Sequence, residues 1–297
     1  MRAPEGLGHP VQGVLWMVAS GLAFVGVNGM VRHLGTEVPA AQAAFIRFVF
    51  GLVILAPALW SLRGRQFPVP VLWLFGWRGA LHVVAVICWF YAMARVPVAE
   101  MAAIGFINPV IVLVIGGLVL GEGLGMRRIA VVAAALVGAL IVLRPGFREI
   151  TAGHLAQAGA TVFFASSYII AKRLSALAPA GVVVAVLSVT VTVGLAPVAL
   201  WVWQPVSLAQ LGGLVVVAVL ATGGHYAMAR AFQAAPLAMT QPVTFLQLLW
   251  AALLGALAFG EPVDGFVVAG GALIVLAISL NTWVEARREP GILAAEV

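Results

Sequence analysis

The chain has 297 residues, of which 63% are hydrophobic and 9% are charged, and it carries a formal net charge of +6. A soluble domain contains roughly 45–50% apolar and about 25% charged residues, so this composition excludes a soluble enzyme or binding module. The apolar residues fall in long runs, and each helical crossing of a bilayer needs about 20 such residues. The chain is therefore predicted to be a polytopic membrane protein that acts within the bilayer.

Ten apolar segments are predicted to cross the membrane as helices, which makes the fold class all-α integral membrane. A segment of about 20 residues is long enough for one crossing. In chain order the predicted spans cover residues 11–31, 39–60, 71–94, 98–120, 127–143, 153–171, 180–203, 208–232, 236–259 and 263–284. The connections between them are short, so no soluble domain is predicted.

The second half of the chain repeats the first. The segment 97–122, which begins with proline and ends in Gly-Glu, recurs as the segment 236–261 at an offset of 139 positions. Gly13 and Gly153 form a further pair, at an offset of 140. We interpret the chain as a tandem duplication with five spans in each copy.

An odd number of spans in each copy makes the second copy enter the membrane upside down relative to the first. The first copy is assigned to residues 1–145 and the inverted copy to residues 146–297. Inverted repeats of this kind are typical of secondary transporters. Because the total number of spans is even, both termini are expected on one side of the membrane.

The distribution of basic residues predicts that this side is the cytoplasm. With the N-terminus inside, the inner connections contain ten Lys and Arg residues and the outer ones four, while Arg47 and Arg78 fall within spans. Short cytoplasmic connections of membrane proteins are enriched in these residues. The net charge thus reflects topology, and no clustered basic face indicates a nucleic-acid partner. The predicted partners are a small-molecule substrate and the lipid bilayer, and a monomer is sufficient.

Motifs of other function classes are missing from the sequence. It contains no phosphate-binding G-x-x-x-x-G-K-[ST] loop and no H-E-x-x-H pair, and Cys88 is the single cysteine. We therefore predict no catalytic residue, no cofactor and no metal site. A membrane-embedded enzyme or a structural membrane protein stays open as the alternative class.

Polar residues within the spans are predicted to face an interior cavity, because lipid offers them no hydrogen-bond partner. Arg78, His82 and Trp89 share one face of the third span. The eighth and ninth spans carry similar polar residues, namely Thr222, His225, Tyr226 and Gln233, and Thr240, Thr244, Gln247 and Trp250.

Two amide side chains occupy matched positions in the two copies. Asn108 in the fourth span corresponds to Gln247 in the ninth at the offset of 139. Pro109 and Pro242 each remove a backbone donor and are predicted to bend these spans. Broken helices at repeat-related positions point to the binding site of a transporter. The two amides are therefore the strongest pointer to a substrate site.

Several candidates also have a plainer structural role. A threonine such as Thr244 often bonds the backbone one turn back, and Trp89 and Trp250 suit the membrane interface. Glu100 lies in the first turn of the fourth span, where a carboxylate stabilises the positive end of the helix dipole.

The two arginines within spans differ in their predicted surroundings. A membrane-depth arginine costs at least about 2.5–3.5 kcal/mol unless it is paired, so Arg47 is predicted to pair with Glu100 at similar depth. Arg78 lies nearer the cytoplasmic end, where its long side chain could reach the surface instead.

The repeat pattern resembles the EamA type of the drug/metabolite transporter superfamily. Each copy has a proline about two dozen residues before Gly-Glu at the end of its fourth span, at Gly121-Glu122 and Gly260-Glu261. Within that family the polar third span and the many tryptophans are most similar to the bacterial exporters of aromatic amino acids. The resemblance covers nearly the whole chain.

The resemblance implies a carrier of the bacterial inner membrane with its cavity between spans one to four and six to nine. It implies export of aromatic or other amino acids by alternating access, with other metabolites, drugs and uptake left open. The first span departs from small four-helix relatives, because Asn28 replaces a carboxylate and is matched by Tyr168 at the offset of 140.

A bound substrate is expected to bury its aromatic part against tryptophan and phenylalanine rings and to hydrogen-bond its polar groups to amide, imidazole and hydroxyl groups. The residues expected to contact it are Asn108, Gln247, His82, Trp89, Trp250, Tyr226, Phe164, Thr244, Asn28 and Tyr168.

The predicted topology can be tested with fused reporters. A reporter active only in the periplasm should be silent when fused after Val297 and active when inserted after Leu143, because inner connections carry the excess of positive charge. The opposite pattern of activity would show that the orientation is wrong.

Overall fold

The computed structural model describes residues 10–34, 37–61, 66–93, 95–96, 104–105, 107–120, 125–143, 150–259 and 265–288. Among these residues the chain forms helices and connecting segments and no strand. The principal helices are α1 (Pro10–Leu34), α2 (Ala40–Ile54), α3 (Ala56–Trp60), α4 (Val69–Met93), α5 (Ile107–Leu120), α6 (Met126–Leu143), α7 (Ala152–Ser175), α8 (Ala180–Trp201), α9 (Leu208–Ala234), α10 (Leu237–Val243), α11 (Leu246–Phe259) and α12 (Gly265–Arg288).

The all-helical fold agrees with the predicted class. Within the described residues, five stretches are both long and apolar enough to cross a membrane: Val11–Val31, Val69–Ala92, Ala180–Trp201, Leu208–Ala234 and Leu237–Ala258. Shorter apolar stretches are Ala40–Ile54, Val110–Leu120, Ile129–Ile141 and Val268–Ala277. The total of ten crossings stays a prediction.

Helix α7 is long enough to cross the membrane but is less apolar than the others. It covers the predicted span 153–171 and extends over 24 residues. Its polar side chains include the buried residues Gln157, Thr161 and Ser167. Because these groups point into the protein, low hydropathy here reflects an inward polar face and not exposure to water.

The second predicted span is interrupted, which the sequence analysis did not anticipate. Helix α2 ends at Ile54 and α3 begins at Ala56, with Pro57 in the first turn of α3. Proline has no N–H to donate back into the preceding turn, so the chain restarts as a new helix.

The ninth predicted span is interrupted at Thr244 and Phe245, which form the turn between α10 and α11. Pro242 lies inside α10 and cannot donate to a carbonyl one turn back. The backbone tightens instead: the Phe245 N–H donates to Pro242 O at 3.2 Å and the Gln247 N–H donates to Thr244 O at 3.1 Å. Pro109 is the third residue of α5, where a missing N–H costs that helix no internal bond.

Helices α1 and α9 pack against each other in antiparallel fashion. Gly13 contacts Ala235, and a Cβ atom at Gly26 would lie 3.1 Å from Leu220 Cδ1. At the other end, a Cβ atom at Gly213 would lie 2.6 Å from Leu34 Cδ2. The contacts therefore run up one helix and down the other, and glycines bring the two backbones close together.

Helices α4 and α7 form a second antiparallel pair. A Cβ atom at Gly153 would lie 2.6 Å from Val96 Cγ2, just past the end of α4. Phe75, near the start of α4, shares a hydrophobic cluster with Leu174 near the end of α7. Gly153 is 140 positions from Gly13, and Val96 is 139 from Ala235. The two pairs are thus matched at the offset of the sequence repeat.

Helices α6 and α12 contact each other through glycine. A Cβ atom at Gly138 would lie 2.8 Å from Gly270 O and 2.8 Å from Ile274 Cγ1. Leu140 and Leu276 are exposed on these helices. An exposed apolar face of this kind suits contact with lipid.

Two long side chains join the ends of α7 and α9, and we call this set of contacts the α7–α9 clasp. Lys172 Nζ donates to Phe232 O and to Ala235 O, both at 2.7 Å. In the other direction, Gln233 Nε2 donates to Ser175 O at 3.1 Å and to Ala178 O at 3.2 Å. A cation at the C-terminal end of α9 also interacts favourably with the helix dipole.

Candidate functional site

Polar and aromatic side chains from five helices meet inside the protein, and we call this group the central cluster. Its members come from α1, α2, α4, α7 and α9 and combine two arginines, two histidines, a serine and four aromatic rings. They are Phe24, Arg47, Phe48, Arg78, His82, Phe164, Ser167, Tyr168 and His225.

His82 stands at the middle of the central cluster and is 1% exposed. Its Nδ1 atom lies 3.2 Å from Ser167 Oγ, which in turn donates to Arg78 O at 3.5 Å. Its ring meets Phe164 edge to face, with centroids 5.1 Å apart, and lies 5.5 Å from the ring of His225. The imidazole is thus fixed by one hydroxyl and by ring contacts from two sides.

Two more rings complete the aromatic part of the cluster. Phe48 meets His82 edge to face at 6.3 Å. Tyr168 stacks on Phe164, with centroids 6.1 Å apart and an angle of 17° between the ring planes. Stacked and edge-on rings of this kind are suited to holding another flat ring.

Arg78 points into the protein. Its side chain is 1% exposed, and Nη1 donates to Val183 O on α8 at 2.7 Å. Its Nε atom is buried and has no hydrogen-bond partner among the described residues. The alternative in which Arg78 reaches the cytoplasmic surface is therefore wrong, because α8 provides a carbonyl for it inside the bundle.

Arg47 lies close to the second histidine. Its Nη2 atom is 3.5 Å from His225 Nε2, and the centre of its guanidinium group is 4.0 Å from the ring centroid of Phe48. A guanidinium group can only donate, so a hydrogen bond at this contact requires His225 Nε2 as the acceptor and the imidazole proton on Nδ1. That Nδ1 atom is buried without a hydrogen-bond partner among the described residues.

The charge of the central cluster is not balanced by an acidic side chain of its own helices. The helices α1 to α11, as described, contain no aspartate and no glutamate. Glu100, the predicted partner of Arg47, lies outside the described residues. The cluster therefore combines two guanidinium groups with hydroxyl, imidazole and aromatic groups.

The matched amides lie at helix interfaces outside the central cluster. Asn108 Nδ2 donates to Thr161 O on α7 at 3.1 Å. Gln247 packs on α1, where a Cβ atom at Gly21 would lie 3.0 Å from its Cγ. Thr161 and Gly21 are themselves 140 positions apart. Each amide thus contacts the first helix of the other half of the chain, at corresponding places.

Tyr226 belongs to a second aromatic group, on α1 and α9. Its ring meets Trp16 edge to face at 6.2 Å, and its hydroxyl accepts a hydrogen bond from Arg230 Nη1 at 3.3 Å. The Arg230 guanidinium centre also lies 5.1 Å from the ring centroid of Trp16. Although Tyr226 follows His225 in the chain, its described contacts lie outside the central cluster.

Neither candidate tryptophan is among the members of the central cluster. Trp89 packs against Phe90 at 5.0 Å and against the small group formed by Ala92, Val96 and Ala156. Trp250 is half-buried in α11, and its Nε1 atom has no hydrogen-bond partner among the described residues.

Two further candidates take plainer positions. Thr244 Oγ1 donates to Gln241 O at 2.7 Å, which is the expected local bond of a threonine to the backbone three residues earlier. Asn28 is exposed on α1, whereas Tyr168, its match in the repeat, belongs to the central cluster.

Six members of the central cluster were not among the residues expected from the sequence to contact a substrate, namely Phe24, Arg47, Phe48, Arg78, Ser167 and His225. His225 lay on a polar face of the eighth span, and an ionisable residue at membrane depth is itself a functional signal. The phenylalanines gave no such signal, because phenylalanine is common throughout the membrane helices of such proteins. Matching the two copies pairs Phe24 with Phe164 at the offset of 140, and it finds no counterpart of the same residue type for the others.

A lateral cavity lies beside the cluster, between α2, α4 and α8. It has a volume of about 210 Å³. The residues that line it are Ala40, Ala41, Ile87, Phe90, Tyr91, Arg95 and Leu195. The buried side chains of Ala44, Phe48 and Val86 lie on the same two helices between this cavity and His82.

One known protein family matches almost the whole chain. The model of the EamA-like transporter family matches residues 11–144 and 151–283. The two matched segments correspond to the two halves of the sequence repeat.

Relatives of known function cover nearly the full chain. The riboflavin transporter of Vibrio cholerae is 30% identical over 291 residues, which are 94% of this chain and 96% of the relative. The pseudopaline exporter CntI of Pseudomonas aeruginosa is 27% identical, covering 89% and 94% of the two chains. The S-adenosylmethionine uptake transporter of Rickettsia prowazekii is 25% identical, covering 90% and 91%. These names support transport of small metabolites and do not specifically support amino-acid export.

The fold is also found in a protein of known crystal structure. It superposes with a TM-score of 0.79 at 19% identity, and the match covers 93% of this chain and 98% of the other. At this identity the likeness shows a shared fold.

Neighbouring serines on α7 provide a matched test of the central cluster. Ser167→Ala removes the hydroxyl that contacts His82 Nδ1 and leaves a buried polar atom without its partner, which costs about 1–3 kcal/mol. Ser166→Ala removes only a bond to Val162 O within the same helix. Thermal unfolding in detergent should show a lower midpoint for Ser167→Ala than for Ser166→Ala. Equal midpoints would mean that the hydroxyl does not hold His82.

Proposed function

Because the chain belongs to the EamA-like transporter family, we propose that it moves a small aromatic or heteroaromatic metabolite across the membrane by alternating access. The coarser description, a multi-pass membrane protein that transports small metabolites, follows from the family and from the apolar helices. The proposal adds the class of substrate, the site and the mechanism.

The central cluster carries the proposal. It unites side chains from α1, α2 and α4 in the first half with side chains from α7 and α9 in the second. Ionisable residues within membrane helices are costly and mark pathways for substrates or ions. A binding site near the middle of the membrane, between the two halves, is where secondary transporters hold their substrates.

The rings of the cluster indicate the type of substrate. Phe24, Phe48, Phe164 and Tyr168 surround the two imidazoles, and an aromatic ring buries about 150–250 Å² in such surroundings. The relatives from Vibrio cholerae and Rickettsia prowazekii are named for riboflavin and S-adenosylmethionine, and both compounds contain a fused nitrogen heterocycle. An aromatic amino acid is a narrower possibility within the same class.

The antiparallel helix pairs support the inverted-repeat part of the proposal. The first and third spans of a five-span copy run in the same direction, so α1 and α4 are parallel in that topology. Helix α7 packs antiparallel to α4, and it is the repeat counterpart of α1. The second copy is then inverted relative to the first, and rocking of one copy against the other exposes the site to alternate sides.

The α7–α9 clasp suggests which side is closed. With both termini in the cytoplasm of a bacterial cell, the C-terminal ends of α7 and α9 lie on the inner side of the plasma membrane. Lys172 and Gln233 join these ends through four hydrogen bonds to backbone carbonyls. Because α7 and α9 both belong to the second half, access from the cytoplasm between them requires the clasp to open in addition to movement between the halves.

The predicted residues outside the central cluster are also given roles in the proposal. Asn108 and Gln247 sit where each half of the chain contacts the other, so they are proposed to line the site once the halves have moved. Trp89, Trp250 and Tyr226 are proposed to contact substrate along its path. The predicted charge pair of Arg47 with Glu100 is an alternative role for Arg47, and Glu100 lies outside the described residues.

Transport can be tested with purified protein in liposomes. Radiolabelled riboflavin, tryptophan and S-adenosylmethionine should be offered separately, and at least one aromatic solute should enter in a saturable manner above protein-free liposomes. Phe164→Ala should lower that flux severalfold because it removes a stacked ring. Leu257→Ala, at a position 86% exposed on the outer surface, is the control. No flux of any solute, with folded protein, would favour an enzyme or a structural protein instead.

The clasp can be tested by thiol labelling. In a Cys88→Ala background, Ser175→Cys places a thiol at the end of α7, where the native serine is 4% exposed. Lys172→Met removes two hydrogen bonds of the clasp and should speed labelling of that thiol severalfold. Arg173→Met alters the exposed neighbouring cation and should leave the rate unchanged. Equal rates in both variants would show that the clasp does not hold this end closed.

A further inference from the structure

We propose that the substrate carries an oxyanion, a carboxylate or a phosphate, which binds Arg47 and Arg78 in the central cluster. This inference rests on the proposed transport function and adds the charge of the substrate to it. The carrier would therefore move an aromatic or heteroaromatic acid.

Both guanidinium groups belong to one connected set of side chains. Arg47 reaches His225, whose ring lies 5.5 Å from that of His82. His82 follows Arg78 by one helical turn on α4, so both residues lie on one face of that helix. Ser167 contacts His82 and the backbone of Arg78. Arg47 thus joins this set at His225, and Arg78 joins it beside His82.

The hydrogen-bonding capacity of these arginines is largely unused. A guanidinium group has about five N–H donors. Among the described residues, Arg78 makes one side-chain hydrogen bond, to Val183 O, and its buried Nε atom has no partner. Arg47 makes one long contact of 3.5 Å, to His225. A carboxylate or a phosphate offers two oxygens that can accept parallel bonds from a guanidinium group, whereas a backbone carbonyl offers one.

The charge of the site calls for an anion. The helices α1 to α11, over their described ranges, supply two buried cationic side chains at this level and no carboxylate. A charge at membrane depth is stable only with a partner, and a site of low dielectric strengthens attraction to an opposite charge. A bound oxyanion would neutralise the cluster and use its free donors.

The aromatic rings complete the description of the ligand. Phe164 and Tyr168 are stacked beside His82, and Phe24 meets the ring of His225 at 5.0 Å. A ligand whose acid group binds the arginines would place its attached ring among these side chains. A ring without an acid group would leave the cationic charge unbalanced, and an acid without a ring would leave the aromatic surface unused.

The test compares compounds that share a ring and differ in charge. Proteoliposomes containing the full chain are supplied with radiolabelled indole-3-propionate, tryptophan or tryptamine, which are an anion, a zwitterion and a cation. Uptake at low concentration should favour indole-3-propionate over tryptamine by at least about tenfold, the factor that corresponds to one lost charged hydrogen bond. Riboflavin and riboflavin 5′-phosphate form a second pair, and preference for the phosphate in that pair alone would assign the oxyanion as a phosphate.

Variants connect the preference to the two arginines. Arg47→Gln and Arg78→Gln should each reduce the anion preference by about tenfold, whereas Arg47→Lys and Arg78→Lys should retain part of it because they keep the charge. If Arg78→Gln does not fold, Arg47→Gln and the two lysine variants still decide the question. Folded Gln variants that keep the full preference would overturn the proposal.

Three other outcomes are also decisive. Equal uptake of tryptamine, riboflavin and the anions would overturn the oxyanion site while leaving the transport function intact, and failure of every compound to cross would instead reject the transport function. An anion preference that is absent from the native protein and appears in Glu100→Gln would identify Glu100 as the counter-ion of the arginines, which also overturns the proposal.

Discussion

The central cluster exists because the interior of a bilayer contains no water. A polar group that enters the membrane on a helix must find its partner inside the protein, and the strongest demand comes from Arg47 and Arg78. The faces of α2 and α4 that carry these arginines therefore turn inward. The polar face of α7 packs against them there. The apolar remainder of each helix is left for lipid. The orientation of these helices in the bundle is therefore determined by where the few charged side chains find their partners.

Most of the fold could be predicted from the sequence, because the length of an apolar run is set by membrane thickness and is visible without any tertiary information. Breaks within the spans were harder to place. The turn after Pro242 was expected, since the proline lies far inside its span. The break at Leu55 was not, although Pro57 signals it, because the apolar run continues across both helices. A hydropathy profile shows the length of an apolar run. It does not show whether that run forms one continuous helix or two helices with a break between them.

The candidate site was only partly predictable, and the reason lies in the repeat. Helix packing between the two halves follows the sequence repeat, and Asn108 and Gln247 occupy corresponding helix interfaces. Comparison of the two copies therefore identified both residues. Phe24 and Phe164 are counterparts at the offset of 140, but the other members of the central cluster have no counterpart of the same residue type. His82 and His225 are 143 positions apart and are not counterparts at the offset of the duplication. A substrate with two unlike ends needs an asymmetric binding site. A search for residues that match between the two copies cannot find the parts of a site that differ between them.

The glycines between α1 and α9 affect how the bundle can move as well as how closely it packs. At Gly26 and Gly213 a leucine of the facing helix, Leu220 and Leu34 respectively, occupies the space that the missing side chain leaves. These two contacts fix the register of the helices, because sliding along the helix axis would drive each leucine against a larger neighbour. A larger residue at either glycine would push the two helices apart. The pair is therefore expected to tilt about these contacts more readily than it slides along its length.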